Sequence, residues 1–407
     1  MSAKPVVLSS SSQRLQHPWR LLVLLSAVLL AIAIRDVSAQ GSPRSFAVPC
    51  SSSSSSCTAR RNVPYFSTLP LDAPSSEITT AAVLIHGIDR DAATSFTLLK
   101  QIAAQAQQNN TLFLLAPRFQ TQTDNPAATD LFWSGSGWAD GLASVAPESV
   151  SAFTVLDAMF AQTAASFPNL KTLTVIGFSA GAQAVSRYAA FSQFPDTVAP
   201  RIQTRFIVAD PGSFTYLTPS RAKPSSLSKY CGGAPQDCAA GLVNPSDFSD
   251  PYEGQSSAPG YDNYKYGLGA RSQYPLQVGG SRSAVLSRFL TRDIRYYVGT
   301  DDTILSPELD MSPEANAQGS NRAVRMAVYV AYIKTVLHAP FSRLDFISGC
   351  SHKQDCVLTA GVVADGIFAA SVTSSGRSSR AAFVPGTSSI VGPLLAAVRW
   401  VRRIQSV

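Results

Sequence analysis

The feature that most constrains this chain is a rhythm: short apolar runs alternate with longer stretches of helical spacing. Thr80–Ile85, Leu112–Leu115, Leu173–Ile176, Phe206–Val208 and Ile294–Val298 read as strands. Between them, Ala92–Gln108, Val150–Phe167, Ala182–Phe191 and Asn321–Leu337 read as helices. In the second of these, Phe153, Leu156, Phe160 and Ala164 fall on one face. Strands of this length alternating with helices of ten or more residues indicate βαβ units and a mostly parallel sheet with helices on both faces. The expected class is therefore α/β. At 407 residues the chain is long for one average domain, yet folds of this class use such lengths as a single unit. Ligands in such sheets bind beyond the carboxyl ends of the strands, so motifs that directly follow a strand carry the most weight.

Gly177-Phe178-Ser179-Ala180-Gly181 is such a motif. It reads G-x-S-x-G, directly after one strand and directly before a helix. A nucleophilic serine must project from a sharp, strained strand-to-helix turn, and the flanking positions must be small to let the backbone pass. His86-Gly87 follows the earlier strand. Acyl transfer builds negative charge on the substrate carbonyl oxygen, and two backbone N–H groups must await it. Ala180 is the candidate for one, and Gly87 and Ile88 for the other. The His86 side chain itself is expected to be structural.

Histidine supply narrows the general base. Apart from His17, near the N-terminus, the chain has only His86, His338 and His352. In this arrangement the base follows the nucleophile and the acid in chain order. His338 ends a helix before Ala339-Pro340, where a helix-terminal role is expected. His352 lies in a polar loop after the mostly apolar run Leu344–Ile347, between Cys350 and Cys356, and is the expected base. The acid orients the imidazole and stabilises its charged form. Asp301 and Asp302 follow the strand Ile294–Val298, and Asp210 follows the strand ending at Val208, so three carboxylates compete.

The N-terminus speaks to compartment. Leu21–Ile34 is an apolar run of 14 residues, short of the roughly 20 that span a bilayer, and basic residues precede it. With Val37-Ser38-Ala39 it fits a secretory signal peptide, residues 1–39, cleaved before Gln40. No stable membrane span is then expected, and the protein is expected to be secreted. The six cysteines agree, and they fall into close pairs: Cys50–Cys57, Cys231–Cys238 and Cys350–Cys356 are the expected local bridges. None is CxxC and histidines are few, so no metal is expected. Asn109, in Asn109-Asn110-Thr111, is a candidate N-glycan acceptor. The net charge is +7, but Lys4, Arg14, Arg20 and Arg35 stand against only Asp36 in the leader, so the remainder is milder. Beyond Arg399, Arg402 and Arg403 there is no basic cluster, and a nucleic-acid partner is not expected. Charged residues are only 14%, with serine, alanine and threonine in their place, which suits an extracellular protein.

The rhythm breaks twice. Residues 211–292 are rich in proline, glycine, serine and tyrosine, and read as a cap or rim insertion. Its Tyr261, Tyr264 and Tyr266 are expected to shape the pocket. Residues 40–62 read as a Ser-rich, disulfide-looped lead-in, 63–370 as the catalytic domain, and 371–407 as a Ser-rich linker with a short apolar and basic tail.

These residues resemble the α/β-hydrolase superfamily and, more narrowly, a family of secreted or bacterial α/β hydrolases. The resemblance rests on Ile85-His86-Gly87 with Arg90, Phe132-Trp133, Trp138, Ser149-Val150-Ser151 to Leu156-Asp157, Phe167-Pro168-Asn169-Leu170, Gly177 to Gly181, Tyr266-Gly267-Leu268, Gly299 to Thr303, and Gln318 to Arg322. It spans roughly residues 63–370. The resemblance implies Asp302 as the acid, because such proteins read Gly-x-x-Asp-Thr after the late strand, and they carry Asn where this chain has Asp210. It implies an α/β-hydrolase fold and serine-hydrolase chemistry. The expected function is cleavage of small-molecule or polymer esters through Ser179, His352 and Asp302, with no cofactor. The alternatives are a peptidase or amidase on the same three residues, and an inactive binding protein on the same fold.

Overall fold

The computed structural model describes residues 42–49, 61–107, 111–198, 200–339 and 343–368. By internal contacts the chain divides into Met1–Ser42 and Pro43–Val407, and every strand and helix among the described residues belongs to the second unit. The expected signal peptide, the Cys50–Cys57 bridge, the Asn109 sequon and the 371–407 tail lie outside the described residues.

Eight strands form the main sheet: β1 (Arg44–Ala47), β2 (Asn62–Ser67), β3 (Thr80–Ile85), β4 (Leu112–Pro117), β5 (Thr172–Phe178), β6 (Gln203–Ala209), β7 (Asp293–Gly299) and β8 (Arg343–Ile347). Their order is 1-2-4-3-5-6-7-8. From β4 to β8 every pairing is parallel, while β2 pairs antiparallel with both β1 and β4. The strand Arg44–Ala47 falls inside the stretch read as a lead-in. Its residues are mostly exposed, so no apolar run marks it; pairing with β2 alone makes it a strand.

The central strands are apolar on both sides because both sides are covered. Val83, Ile85, Val175 and Val208 face one layer, with helices α2 (Ala152–Ser166), α3 (Ala180–Phe191) and α4 (Arg322–Thr335). Ala82, Leu84, Ile176 and Ile207 face the other, with α1 (Ala92–Gln105) and α5 (Gly361–Phe368). Helix starts follow capping chemistry: Asp91, Ser151 and Asn321 each accept an N–H of the first turn. The first helix stops at Gln105, three residues before the expected end, where Gln107 turns to φ +51°.

The register sets what the strands deliver. Ile85 lies opposite Gly177, Gly177 opposite Val208, Ala209 opposite Tyr297, and Gly299 opposite Ile347. The carboxyl ends of β3, β5, β6, β7 and β8 therefore come level, and the loops after them share one edge.

Residues 211–292 hold short helices, among them Pro224–Tyr230, Pro235–Gly241 and Arg282–Phe289, with Cys231 and Cys238 disulfide-bonded. The second of these packs on α4 and the third on α3.

Candidate active site

The six residues of the candidate site come from four segments at that shared edge: Gly87 and Ile88 after β3, Ser179 and Ala180 after β5, Asp302 after β7 and His352 after β8. Ser179 sits between β5 and α3 with φ +56°, a left-handed backbone that a non-glycine residue adopts only under constraint. The constraint is visible on either side. A Cβ on Gly177 would lie 2.2 Å from the Gly181 carbonyl oxygen, and one on Gly181 would lie 2.2 Å from that of Ile85. Serine at a helix start ordinarily caps it, but Ser179 makes no such bond. Its Oγ instead meets His352 Nε2 at 2.9 Å.

The other ring nitrogen of His352, Nδ1, is 2.7 Å from Asp302 Oδ2. Asp302 is buried, whereas Asp301 is exposed and accepts the Thr300 hydroxyl. This decides between the two neighbours: only one side chain of an extended turn can face the imidazole. The loop bearing His352 is tied at several points. Cys350 and Cys356 are bonded, Asp301 N–H donates to the Cys350 carbonyl at 2.9 Å, and Gly349 N–H donates to Thr300 Oγ1 at 3.0 Å. A Cβ on Gly299 would lie 2.1 Å from the Cys350 carbonyl oxygen, so the two loops touch backbone to backbone. Asp210 does not bond His352; its Oδ1 accepts the Gly299 N–H at 3.0 Å. Asp210, Asp302 and His352 each bring one polar atom within 4.8 Å of the others. Both His352 nitrogens are already hydrogen-bonded, so neither is open to a metal in this arrangement.

Gly87, Ile88 and Ala180 line the space around Ser179. A cavity of about 370 Å³ is walled by Gly87, Ile88, Ser179 and His352. A second, of about 270 Å³, also reaches Ser179 and is walled by Ile88, Ala180, Lys265, Asp310 and Arg322. His86 is structural, as expected. It is fully buried, its Nδ1–H donates to the Gly87 carbonyl and its Nε2 accepts the Phe119 N–H, both at 2.9 Å. Burial holds its pKa down to about 4, so the ring stays neutral and pins the Gly87 loop. Between the unfolded value near 6.5 and about 4, the unfolded chain takes up a proton that the folded one refuses. Stability is therefore full above about pH 6.5 and falls by about 3 kcal/mol as pH drops to about 4. Urea melts across this range should show that limb in the parent protein and lack it in His86→Gln; equal limbs in both would assign the acid loss elsewhere. His338 is exposed, at the end of α4, with φ +54°.

The expectation that Tyr261, Tyr264 and Tyr266 shape the pocket is corrected. None of the three lines either cavity: Tyr264 and Tyr266 stand behind the wall, and Tyr261 packs with Tyr252, Ala258 and Ala317. Tyr266 OH donates to Asp310 Oδ2 at 2.7 Å and Tyr264 OH donates to the Asp140 carbonyl, bracing two residues that do line the second cavity. From residues 211–292, Gly212 and Lys265 reach that cavity. Much of the remaining wall is Pro307–Asp310, a segment after Asp302 that shows no apolar periodicity in the sequence. Also unforeseen are the buried arginines. Arg187, on α3, donates to Asp140 Oδ1 at 2.8 Å and to the Ala139 carbonyl at 3.1 Å, tying α3 to the cavity wall. An arginine at helical spacing among alanines reads as a surface residue, and only the fold reveals its partners.

Comparison with solved structures gives a poly(aspartic acid) hydrolase from Sphingomonas sp. at 19% identity and a TM-score of 0.50, over 80% of this chain and 98% of that one. With the strand order and the G-x-S-x-G turn, this decides the architecture. The chain has an α/β-hydrolase fold. A poly(3-hydroxybutyrate) depolymerase from Bordetella parapertussis also matches, at 15% identity and a TM-score of 0.47, over 79% of this chain and 88% of that one. An α/β serine hydrolase from Xanthomonas campestris matches at 13% identity and a TM-score of 0.33, over 76% and 86%. No protein-family model and no curated protein matches the sequence. The narrower family resemblance thus stands at the level of the fold. The two disulfides suggest an oxidising compartment, and no helix among the described residues is long and apolar enough to cross a membrane.

Proposed function

We propose that this chain is a secreted serine hydrolase that cleaves ester bonds through a covalent acyl-enzyme. The observation that carries the reading is the continuous hydrogen-bond run from Ser179 Oγ through His352 to Asp302, opening onto a cavity. In this reading Ser179 Oγ attacks the ester carbonyl carbon while its proton passes to His352 Nε2. Asp302 orients the ring and stabilises its charged form. The oxygen that gains negative charge sits against the N–H groups of Ala180 and of the Gly87–Ile88 turn, at the positive end of α3. As the intermediate collapses, the alkoxide leaves with the proton from Nε2. Water then gives a proton to the same nitrogen and its hydroxyl to the acyl carbon, and the bond to Ser179 Oγ breaks as that oxygen takes the proton back from Nε2, releasing the acid. Every role is taken by a side chain or a backbone N–H, so the reading calls for no cofactor. Small-molecule and polymer esters are the first substrates to try, with polymer amides beside them, because the poly(aspartic acid) hydrolase that shares the fold is named for a polyamide.

A fluorophosphonate is the direct test, because it phosphonylates only an activated serine. The expected result is one labelled peptide containing Ser179, absent in Ser179→Ala and weakened in His352→Ala. A folded, disulfide-intact sample that takes no label would overturn the reading in favour of a binding protein. A panel of matched ester and peptide substrates then separates esterase from peptidase.

A further inference from the structure

Asp210 directly follows β6 beside the hydrogen-bond run, fully buried, with φ +50°. One of its oxygens, Oδ1, accepts the Gly299 N–H. The other, Oδ2, is buried with no hydrogen-bond partner among the described residues. The charged and titratable groups that face it are Asp302 from the turn after β7, His352 from the loop after β8, and Arg322 from the start of α4. Arg322 Nη1 lies 3.6 Å from Asp302 Oδ1, and both side chains are buried. Two ionised carboxylates this close, out of water and with a single guanidinium near them, repel strongly, and one of them takes a proton. Asp302 is the acceptor of the two, because it already takes the His352 N–H and faces Arg322. Asp210 is the donor, since an oxygen that no donor reaches is where a hydrogen belongs. Burial first, then the charge of Asp302, push its carboxyl well above the ordinary range.

We propose that Asp210 is a neutral carboxylic acid that donates its O–H to Asp302, a positioning residue that extends the Ser179–His352–Asp302 run by one member. With one oxygen held by Gly299 and the other donating, Asp210 fixes the face of Asp302 turned toward His352. Its effect on rate rests on the proposed hydrolase activity; its proton does not.

Infrared spectra separate the two. In the full-length Ser179→Ala protein near neutral pH, a protonated-carboxyl carbonyl stretch is expected, and it should vanish in Ser179→Ala/Asp210→Asn. On the active background, with p-nitrophenyl acetate, Asp210→Ala should lower kcat about tenfold with KM little changed, through misplacement of the relay. Asp210→Asn, also a neutral donor, should restore kcat to within about threefold of the parent, which loss of packing alone would not predict. No difference band overturns the proton assignment. A fall in Asp210→Asn as deep as in Asp302→Asn also overturns it, since Asp210 would then act as a carboxylate. A band without turnover by any protein, parent included, leaves the neutral acid standing and sinks the hydrolase reading instead.

Discussion

His352→Ala is expected to lower kcat/KM for a short-chain aryl ester by about 10⁴-fold or more, with the fold intact. The size of the effect follows from what the side chain does in the proposed reaction. Without Nε2, Ser179 keeps its proton, and a neutral hydroxyl is a weak nucleophile. No other imidazole among the described residues can step in. His338 is exposed at the end of α4, and both nitrogens of His86 are hydrogen-bonded inside the Gly87 loop. Ser179→Ala should lose as much, and the double variant hardly more than either single one, because residues that act as a unit lose their effect once. Asp302→Asn leaves the shape nearly unchanged but alters the hydrogen bond that orients the ring, and about 10⁴-fold is expected there too. Initial rates, with near-ultraviolet circular dichroism to confirm folding, check all four. A folded His352→Ala protein at parental rate would mean that the base lies elsewhere.

The second large effect is on stability. Gly181→Ala is expected to destabilise the fold by about 4 kcal/mol or more, and to abolish soluble expression if the margin is small. The added Cβ would lie 2.2 Å from the Ile85 carbonyl oxygen and 2.6 Å from that of His86. These are backbone atoms of the neighbouring strand and the residue after it, which cannot rotate aside as the tip of a side chain can. Relief requires α3 to lift from β3, and with it the Ser179 turn and the hydrogen bond to His352. Gly177→Ala meets the Gly181 backbone in the same way and should behave alike. Gly361, at the start of α5, is the control: its Cβ would meet nothing within 4 Å, and Gly361→Ala should stay within about 0.5 kcal/mol of the parent. Urea unfolding of the three variants gives the comparison, and a parental midpoint for Gly181→Ala would refute the crowding account.

Local physics made much of this molecule legible in advance. Apolar runs and helical spacing are properties of neighbouring residues, so β3 to β7 and helices α1 to α4 could be read from the chain, with ends displaced by a few residues where capping decided them. The G-x-S-x-G turn was legible for the same reason, since its requirement is steric and confined to five residues. Chain order and histidine scarcity singled out His352. Only the tertiary structure decided the rest. Asp302 was separable from Asp301 without the resemblance only by seeing which carboxylate is buried against the ring. The strand Arg44–Ala47 exists through pairing and carries no periodicity of its own. The arginine at position 187, the tyrosines behind the cavity and the wall at Pro307–Asp310 depend on partners distant in the chain, up to 124 residues for Tyr264 and Asp140. Asp210 is the extreme case. Its proton state follows from burial and from a charge brought beside it by the next strand, and a sequence read residue by residue holds neither.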